Sequence, residues 1–482
     1  MSPIILSVTI IAYFVILFTI SYIAGHKADN EGFFVGNRKS AWYIVAFAMI
    51  GSTISGVTFV SVPGMVQASS FSYLQMVLGF IVGQFIIAFV LVPLFYRMKL
   101  VSIYEYLENR FGTSSYKTGA WFFFISKMLG AAVRLFLVCL TLQLLIFEPF
   151  GIPFLANVIL TVFIVWLYTF RGGVKSLIWT DVLKTFCLVV SVVLCIYYIS
   201  SSLHLNFGGL ISTISDSDLS KMFFFDDVND KRYFFKQFLA GVFTVIAMNG
   251  LDQDMMQRNL SCKNFKDSQK NMITSVISQF FVILLFLMLG VLLYIFAGNQ
   301  GIQVEKSDEL FPLIATGNYF PAIVGILFII GLISSAYSAA GSALTALTTS
   351  FTVDILGTKG RTEEEIVKIR KRVHIGMAVI MGITIFVFNL LNNTSVIDAV
   401  YILASYTYGP ILGLFAFGIF MKQQVRDKYI PLVAILSPIL CFILQKNSEA
   451  WFNGYQFSYE LLIFNALFTF IGLCLLIRKD KN

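Results

Sequence analysis

Apolar segments of about twenty residues recur along the whole of this chain. A helix needs about 20 apolar residues to cross the hydrocarbon core of a bilayer. Only 12% of the 482 residues are charged, whereas soluble domains carry about 25%. The pattern therefore predicts an all-α integral membrane protein with about thirteen transmembrane helices. We place these helices near 4–25, 41–68, 71–97, 118–146, 152–170, 177–200, 233–255, 271–298, 319–354, 373–391, 396–421, 429–445 and 458–477.

Basic residues are distributed unequally between alternating loops, and this predicts the orientation. If the loop that contains Lys27, Arg38 and Lys39 is cytoplasmic, loops on that side carry 25 Lys and Arg, and the opposite loops carry 5. Positive charge accumulates on the cytoplasmic side of membrane proteins. We therefore expect a bacterial plasma (inner) membrane protein with its N-terminus outside and its C-terminus inside. The net charge of +8 then reflects topology and contact with the lipid bilayer, not binding of nucleic acid.

Two stretches of small and hydroxylated residues interrupt these apolar helices, at 51–58 and 334–338. Lipid offers such groups no hydrogen bonds, so they face a cavity, another helix or an ion. Counting 1.5 Å per residue from opposite membrane faces places both stretches near the bilayer midplane. Helix breaks at this depth indicate a transporter site, although small residues also serve close helix packing.

One carboxylate, Asp181, lies about one turn inside its predicted helix. A buried carboxylate in a membrane needs a partner. Lys184 lies three residues later on the same helix face and would be such a partner. A bound cation is the alternative, and the sequence alone does not decide between the two.

Arg134 lies sixteen residues into its helix and has no carboxylate three or four residues away. Its guanidinium could bind a substrate carboxylate through two parallel hydrogen bonds, or it could pair with another helix. For Lys127, nearer the inner face, we favour a pair between helices or a cluster of carbonyls. Phe71 and Gln75 are four residues apart and could present a ring and an amide from one helix face.

Three motifs carry a resemblance to a known family. A Gly172-Gly173 pair precedes Trp179-Thr180-Asp181, the Ser334-Ser335 stretch continues to Asp354, and Asp252-Gln253-Asp254 is followed by Gln257-Arg258. With these motifs the chain resembles the sodium/solute symporter family over nearly its whole length. The family implies a LeuT-like fold, built from two inverted repeats of five helices in which the first helix of each repeat is broken.

The resemblance also implies a division of the chain around that core. One helix would lead the core and two would follow it. The expected parts are a leading transmembrane helix and cytoplasmic loop at 1–40, a first inverted repeat at 41–200, an extracytoplasmic loop at 201–232, a second inverted repeat at 233–422, and two trailing transmembrane helices at 423–482.

The resemblance implies two places for sodium. The first Na+ would be held by the carbonyls of Gly51, Ile54 and Gly331 and the hydroxyls of Ser334 and Ser335. A second Na+ would lie near Asp181 and Ser338. Lys184 stands where many members have glutamine, and Tyr337 replaces a smaller hydroxyl residue. A neighbouring cation would repel sodium, so the sequence does not decide whether the second site binds sodium.

The substrate residues resemble those of the sialic-acid-transporting members. The matching positions are Thr53, Ser55, Thr58, Phe71, Gln75 and Arg134. The resemblance implies a sodium-coupled symporter that imports a small carboxylate-bearing solute, a sialic acid or related sugar acid, by alternating access. We expect a monomer that binds this anionic substrate and one or two sodium ions.

Other functions remain as alternatives. A sodium- or proton-coupled carrier of another organic anion, a sugar or an amino acid would share most of these features. A channel or a sensor is a different class, but no cytoplasmic signalling domain is visible. We expect no enzyme and no catalytic residues, because no metalloprotease or serine-hydrolase motif occurs. The three histidines, His26, His204 and His374, lie near helix ends and are expected at the surface.

Overall fold

The chain folds into helices joined by short connections. The computed structural model describes residues 3–25, 40–100, 102–304, 306–358, 360–391 and 396–478, and none of them forms a named strand. The helices of the first half are α1 (Pro3–Gly25), α2 (Trp42–Thr53), α3 (Gly56–Ser69), α4 (Tyr73–Met98), α5 (Glu105–Arg110), α6 (Thr113–Leu142), α7 (Phe154–Ser202) and α8 (Phe207–Ser215). Those of the second half are α9 (Phe234–Gly250), α10 (Gln253–Asn259), α11 (Phe265–Gln300), α12 (Leu310–Thr316), α13 (Ala322–Leu356), α14 (Glu363–Leu391), α15 (Val396–Phe420), α16 (Ile430–Trp451) and α17 (Leu461–Leu475).

Each of the thirteen predicted segments is mainly helical, although 152–170 and 177–200 share α7 and 41–68 contains both α2 and α3. Within the described residues, eight helices are long and apolar enough to cross a bilayer, and two bent pairs bring this number to at most ten. Three shorter apolar helices lie at Val8–Thr19, Phe154–Phe170 and Leu461–Leu475. The all-helical membrane fold is confirmed, and the count of thirteen crossings stays a prediction.

One predicted boundary differs from the structure. The sequence predicted two helices separated by a loop around the glycine pair at 172–173, whereas the backbone is helical throughout α7. Glycine lowers helix stability by about 1 kcal/mol per residue, but it does not forbid the helical conformation. The glycine pair therefore does not interrupt the helix, and the predicted loop is absent here.

The first polar stretch coincides with a sharp bend. Helices α2 and α3 meet at 57°, because Ile54 is extended with φ −85° and ψ 97°. Ser55 begins α3 as its N-cap and accepts a hydrogen bond from the Thr58 N–H, which satisfies one of the free donors of a helix start. Close packing fixes this bend against α7, since a Cβ atom on Gly51 would lie 2.2 Å from Thr185 Oγ1.

A second bend separates α9 from α10, which meet at 73°. Asp252 caps α10 and accepts hydrogen bonds from the N–H groups of Asp254 at 2.9 Å and Met255 at 3.2 Å.

The first part of this bent pair packs closely on a neighbour. Helices α4 and α9 touch backbone to backbone at Gly79 and Gly241, as small residues permit in membrane helices. The two bent pairs therefore bring broken backbone into the interior of the helix assembly.

Candidate functional site

A cavity of about 100 Å³ lies between the two bends. Helices from both halves of the chain contribute to its wall. The predicted substrate residues Thr53, Ser55, Thr58 and Arg134 line it, together with Ser52, Tyr73, Lys127, Asn249, Asp252, Asp254, Arg258, Ser338, Ser342, Tyr401 and Tyr408. Its lining is thus rich in hydroxyl and ionisable groups, although it lies within apolar helices.

Arg134 is the cation of this lining for which the described residues provide no anionic partner. It projects from α6 into the space that Tyr401 and Tyr408 also line. Among the residues that the structure describes, no carboxylate pairs with it, so the inter-helix pair considered above is not found. A guanidinium in this position can bind a carboxylate through two parallel hydrogen bonds.

The hydroxyls on the first bent helix line the same cavity as Arg134. Thr53 Oγ1 donates to the carbonyls of Met49 at 3.0 Å and Ile50 at 3.1 Å, and the hydroxyls of Ser55 and Thr58 are 3.3 Å apart. A hydroxyl both donates and accepts and can rotate toward a ligand. These three side chains can therefore form hydrogen bonds with a polar solute at the bend.

Phe71 and Gln75 do not line the cavity. Both are buried and hold the segment before α9 instead. Gln75 donates to the Arg232 carbonyl at 2.7 Å and accepts from the Phe224 N–H at 3.2 Å, and the Phe71 N–H donates to the Lys221 carbonyl at 3.1 Å. In this structure the pair anchors a loop, whereas the sequence predicted a ligand contact.

Two residues of the first predicted sodium site, Ile54 and Ser335, meet at the α2–α3 bend. Ser335 Oγ donates to the Ile54 carbonyl at 3.4 Å, and Ser334 Oγ donates to the Gly331 carbonyl at 3.1 Å. All of these residues are buried, as is Gly51. A helix end leaves carbonyls without helical donors, and unwound carbonyls with hydroxyls are the ligands that bind Na+ in transporters with broken helices. The oxygen set therefore fits a small hard cation.

Asp181, expected at a second sodium site, is already paired with a basic side chain of the protein. Arg258 Nη1 lies 2.5 Å from its Oδ2, and Ser52 donates to the same oxygen at 3.1 Å. Ser338 donates to Oδ1. Lys184, one of the two partners that the sequence left open, does not pair with it: its Nζ is buried and has no hydrogen bond among the described residues. Asp181 pairs with Arg258 of another helix and not with the lysine three residues later, because the planar guanidinium of Arg258 reaches the carboxylate directly.

The charges on α10 form the rest of a buried network that sequence reasoning did not include in the site. Lys127 lies 3.1 Å from Asp252 Oδ1 and 2.7 Å from Asp254 Oδ2, which confirms the predicted inter-helix pair of this lysine. Tyr408 donates to Asp252 at 2.5 Å. Asp254 and Arg258 stand four residues apart, the spacing of a helical ion pair, and this signal could have placed them together.

Ser342 joins the same network and has no sequence signal of its own. It donates to Asp254 and accepts from Arg258 Nη2. Elsewhere, no group of three or more His, Cys, Asp and Glu side chains in the described part of the chain could hold a metal ion. The site therefore offers a cation hydroxyls, backbone carbonyls and carboxylates that basic side chains already pair with.

The histidines take no part in the cavity lining that the structure describes. The prediction of a surface position is wrong for His374, which is 3% exposed and is hydrogen-bonded to Thr169 at 3.0 Å and Thr348 at 2.9 Å. Two hydroxyls satisfy its ring nitrogens, so burial of the imidazole is tolerated. His204 is exposed as predicted, and His26 lies outside the described residues.

Comparisons with known proteins identify the family of this chain. The profile of the sodium:solute symporter family matches residues 33–427. The sodium/sialic acid symporter NanT of Aliivibrio fischeri is 25% identical over 462 residues, covering 89% of this chain and 85% of its own length. The human sodium/iodide cotransporter is 24% identical over 412 residues, and the match covers 82% of this chain and 62% of that protein.

A solved structure of a Na+-coupled sialic acid symporter in a substrate-bound outward-open state has the same architecture. It superimposes with a TM-score of 0.84 at 20% sequence identity and covers 98% of this chain and 97% of its own. A likeness at this identity establishes the fold. The arrangement of broken helices around the cavity is therefore that of a LeuT-like transporter.

Proposed function

The chain belongs to the sodium:solute symporter family, and we propose that it imports a carboxylate-bearing solute, a sialic acid or related sugar acid, together with sodium. Membership makes the protein a sodium-coupled transporter and not an enzyme. The choice of solute is our inference. It rests on one observation above all, the unpaired Arg134 in a hydroxyl-lined cavity.

Arg134 favours an anion because an unpaired guanidinium inside a membrane is unfavourable. A carboxylate would supply the missing charge and two acceptors. The hydroxyls of Thr53, Ser55 and Thr58 line the same cavity and suit the further polar groups of a sugar acid. NanT, a relative by sequence, has sialic acid in its name, which supports this solute over a small inorganic anion.

Coupling between sodium and solute would pass through the bend between α2 and α3. Gly51 and Ile54 would provide carbonyls to sodium from this bend, while Thr53, Ser55 and Thr58 would contact the solute. Gly331, Ser334 and Ser335 would complete the first Na+ site from α13. Because one broken helix serves both ligands, binding of either would favour the backbone arrangement that the other needs.

The cavity has to widen to admit this solute. Its volume of about 100 Å³ is below the roughly 300–1,000 Å³ of small-molecule sites. Alternating access between two inverted repeats, at 41–200 and 233–422, would provide that change. The bent pairs α2–α3 and α9–α10 stand near the start of each repeat, which supports the division.

We further propose a monomer in the bacterial plasma membrane, with its N-terminus outside and its C-terminus inside. The excess of Lys and Arg in alternating loops supports this orientation. Large apolar side chains cover much of the described surface, including Ile11 at 63%, Phe442 at 57% and Leu390 at 67% exposure. Such a surface suits contact with lipid acyl chains.

A substrate-competition panel on sodium-driven uptake tests the proposal. Proteoliposomes containing the full chain take up radiolabelled sialic acid while unlabelled sialic acid, galactose, lactate, proline or iodide compete. We expect sialic acid to compete best and uptake to require a sodium gradient. Arg134→Ala should reduce kcat/KM for the carboxylate by about 10²-fold or more, which corresponds to about 3 kcal/mol for a charged hydrogen-bonded pair.

Arg134→Lys is the matched control, since lysine keeps the charge but loses the two parallel donors. We expect it to retain part of the uptake. Intact carboxylate uptake by Arg134→Ala would contradict the role of this arginine. Uptake that follows a pH gradient without sodium would contradict the coupling ion instead.

A further inference from the structure

We propose that the Asp181–Ser338 site binds no sodium, because the chain's own cations already occupy and balance it. The transporter would then move one sodium with each carboxylate solute. This inference rests on the proposed function, since it concerns the ion count of the same transport cycle. It is carried by the placement of Arg258, by the buried charge around it and by Lys184.

Arg258 stands where a cation at Asp181 would have to bind. Its Nη1 pairs with Asp181 Oδ2 at 2.5 Å and also contacts Ser52 Oγ, while Ser338 bonds the other carboxylate oxygen. The Asp181 side chain is fully buried and Arg258 is 2% exposed. Both oxygens of the carboxylate are therefore in use by protein donors, and water does not compete for them.

Three buried carboxylates and three buried basic groups surround this position within the described residues. They are Asp181, Asp252 and Asp254 on one side and Lys127, Lys184 and Arg258 on the other. The six formal charges cancel without any added ion. A sodium ion at Asp181 would leave one positive charge uncompensated in a low-dielectric interior, where charges are poorly screened.

Arg134 also lines the cavity, and its positive charge is not among the six charges that cancel. A monoanionic solute cancels the Arg134 charge, and one sodium at the neutral oxygen site restores a single positive charge. The loaded protein then carries the same buried charge as the empty protein. A second sodium would raise that charge by one, so the arrangement favours exchange of one sodium and one monoanion.

Lys184 strengthens this argument. Its amine is fully buried on the helix turn next to Asp181 and has no hydrogen-bond partner among the described residues. It therefore places a further positive charge beside the carboxylate and repels an added cation. The ring of Tyr337 packs on Phe14 of α1 with centroids 4.9 Å apart, so this tyrosine is directed toward another helix.

Counting bound sodium on the purified chain tests the proposal without reference to the solute. Equilibrium binding of ²²Na+ in lipid nanodiscs should give one sodium per wild-type chain. The double variant Lys184→Gln/Arg258→Gln removes two cations from Asp181 and should bind two. Asp254 keeps Lys127 as its partner at 2.7 Å in that variant. Arg258→Lys keeps the cation and is the matched control, for which we expect one.

The outcomes separate this inference from the proposed function. Two sodium ions on the wild-type chain would overturn the inference and leave the symporter intact. A folded double variant that still binds one would overturn the role of Arg258 and Lys184. No sodium on any variant would overturn the first sodium site itself, and the inference with it.

Transport by the wild type supplies a test that needs no variant. Under an imposed membrane potential, uptake of a monoanion with one sodium should carry no current, because no net charge moves. The sodium dependence of uptake should have a Hill coefficient of about 1. Inward current that accompanies uptake, or a coefficient near 2, would overturn the proposed ion count.

Discussion

The two sides of the cavity are closed by different kinds of interaction, ion pairs on one side and a neutral hydrogen bond on the other. On the side of α10, which is cytoplasmic in the proposed orientation, Lys127 and Arg258 bridge to the carboxylates of Asp252, Asp254 and Asp181. On the opposite side, the hydroxyls of a buried and a partly buried tyrosine meet at 2.9 Å. These are Tyr73 of α4 and Tyr401 of α15. One side is a buried charge network, and the other is a neutral hydrogen bond below a loop.

This difference predicts unequal energies of opening. Removing one partner of a buried ion pair costs about 3–5 kcal/mol, because the other charge is left uncompensated. A neutral hydrogen bond contributes only about 1 kcal/mol. We therefore expect the tyrosine side, outward in our orientation, to open readily, while opening of the charged side requires a larger change. The following experiments break each closure in turn.

The largest effect is expected at Lys127. Lys127→Met leaves Asp252 and Asp254 without their amine, which should favour cytoplasmic opening by about 3–5 kcal/mol. Val400 lines the cavity and is buried, so Val400→Cys reports access to it. We expect maleimide labelling from the cytoplasmic side of inside-out vesicles to accelerate by at least 10²-fold.

Lys127→Arg keeps the positive charge and serves as the control, with a much smaller acceleration expected. The chain without the added cysteine gives the background of native thiols. Equal labelling rates in Lys127→Met and the parent would show that the charge network does not hold this side closed.

The next effect concerns the loop on the tyrosine side. Gln75→Leu removes the two hydrogen bonds to the Arg232 carbonyl and the Phe224 N–H. An unpaired buried group costs about 1–3 kcal/mol. We expect trypsin, added outside, to cleave near Lys221, Lys231 or Arg232 about ten times faster than in the parent.

Thr58→Ala is the comparison, because Thr58 lines the cavity and the hydrogen bonds that its hydroxyl and N–H make among the described residues go to Ser55. It should alter uptake and leave cleavage unchanged. If Gln75→Leu instead raised the KM of uptake with no change in cleavage, Gln75 would belong to the solute site, as the sequence predicted.

A smaller effect is expected from Tyr73→Phe, which removes one hydroxyl of the tyrosine pair. The loss of about 1 kcal/mol should accelerate labelling of Val400→Cys from outside by about five-fold, and labelling from the cytoplasmic side should stay unchanged. Tyr197→Phe is the control, since Tyr197 is 63% exposed on the surface. Acceleration from both sides would mean that the two closures are not independent.

The charged side and the bend differ in how far the sequence predicts them. Depth counting placed residues 51–58 and 334–338 at the same level, and Ser335 does lie 3.4 Å from the Ile54 carbonyl. Hydroxyls and glycine in an apolar helix are a local signal, because lipid cannot satisfy them. Residue types and depth therefore placed the two stretches together, and the resemblance to the family implied that the first of these helices is broken.

The partner of Asp181 could not be predicted in that way. Local spacing favours Lys184, while the observed partner, Arg258, is 77 residues away in the chain. Which of two cations reaches a buried carboxylate depends on the 73° turn between α9 and α10, and no local pattern fixes that angle. The contacts of Gln75 could not be predicted for the same reason, since its partners Phe224 and Arg232 lie in a loop far along the chain.

The smallest effect is expected at the exposed edge of the tyrosine side. The hydrogen bonds of Arg232 lower the pKa of Asp230 below its ordinary value of 3.8. A depressed pKa means that this pair stabilises the loop fully above pH 3.8 and loses its effect as pH falls through the lowered value. Because the pair is partly exposed to solvent, we expect less than about 1 kcal/mol. Hydrogen exchange of residues 221–233, corrected for intrinsic rates, should therefore be constant between pH 5 and 8 and accelerate only below about pH 4. Arg232→Gln, which lacks the pair, should show no such acid step, whereas a step near pH 6 in the parent would assign the loop's closure to a different group.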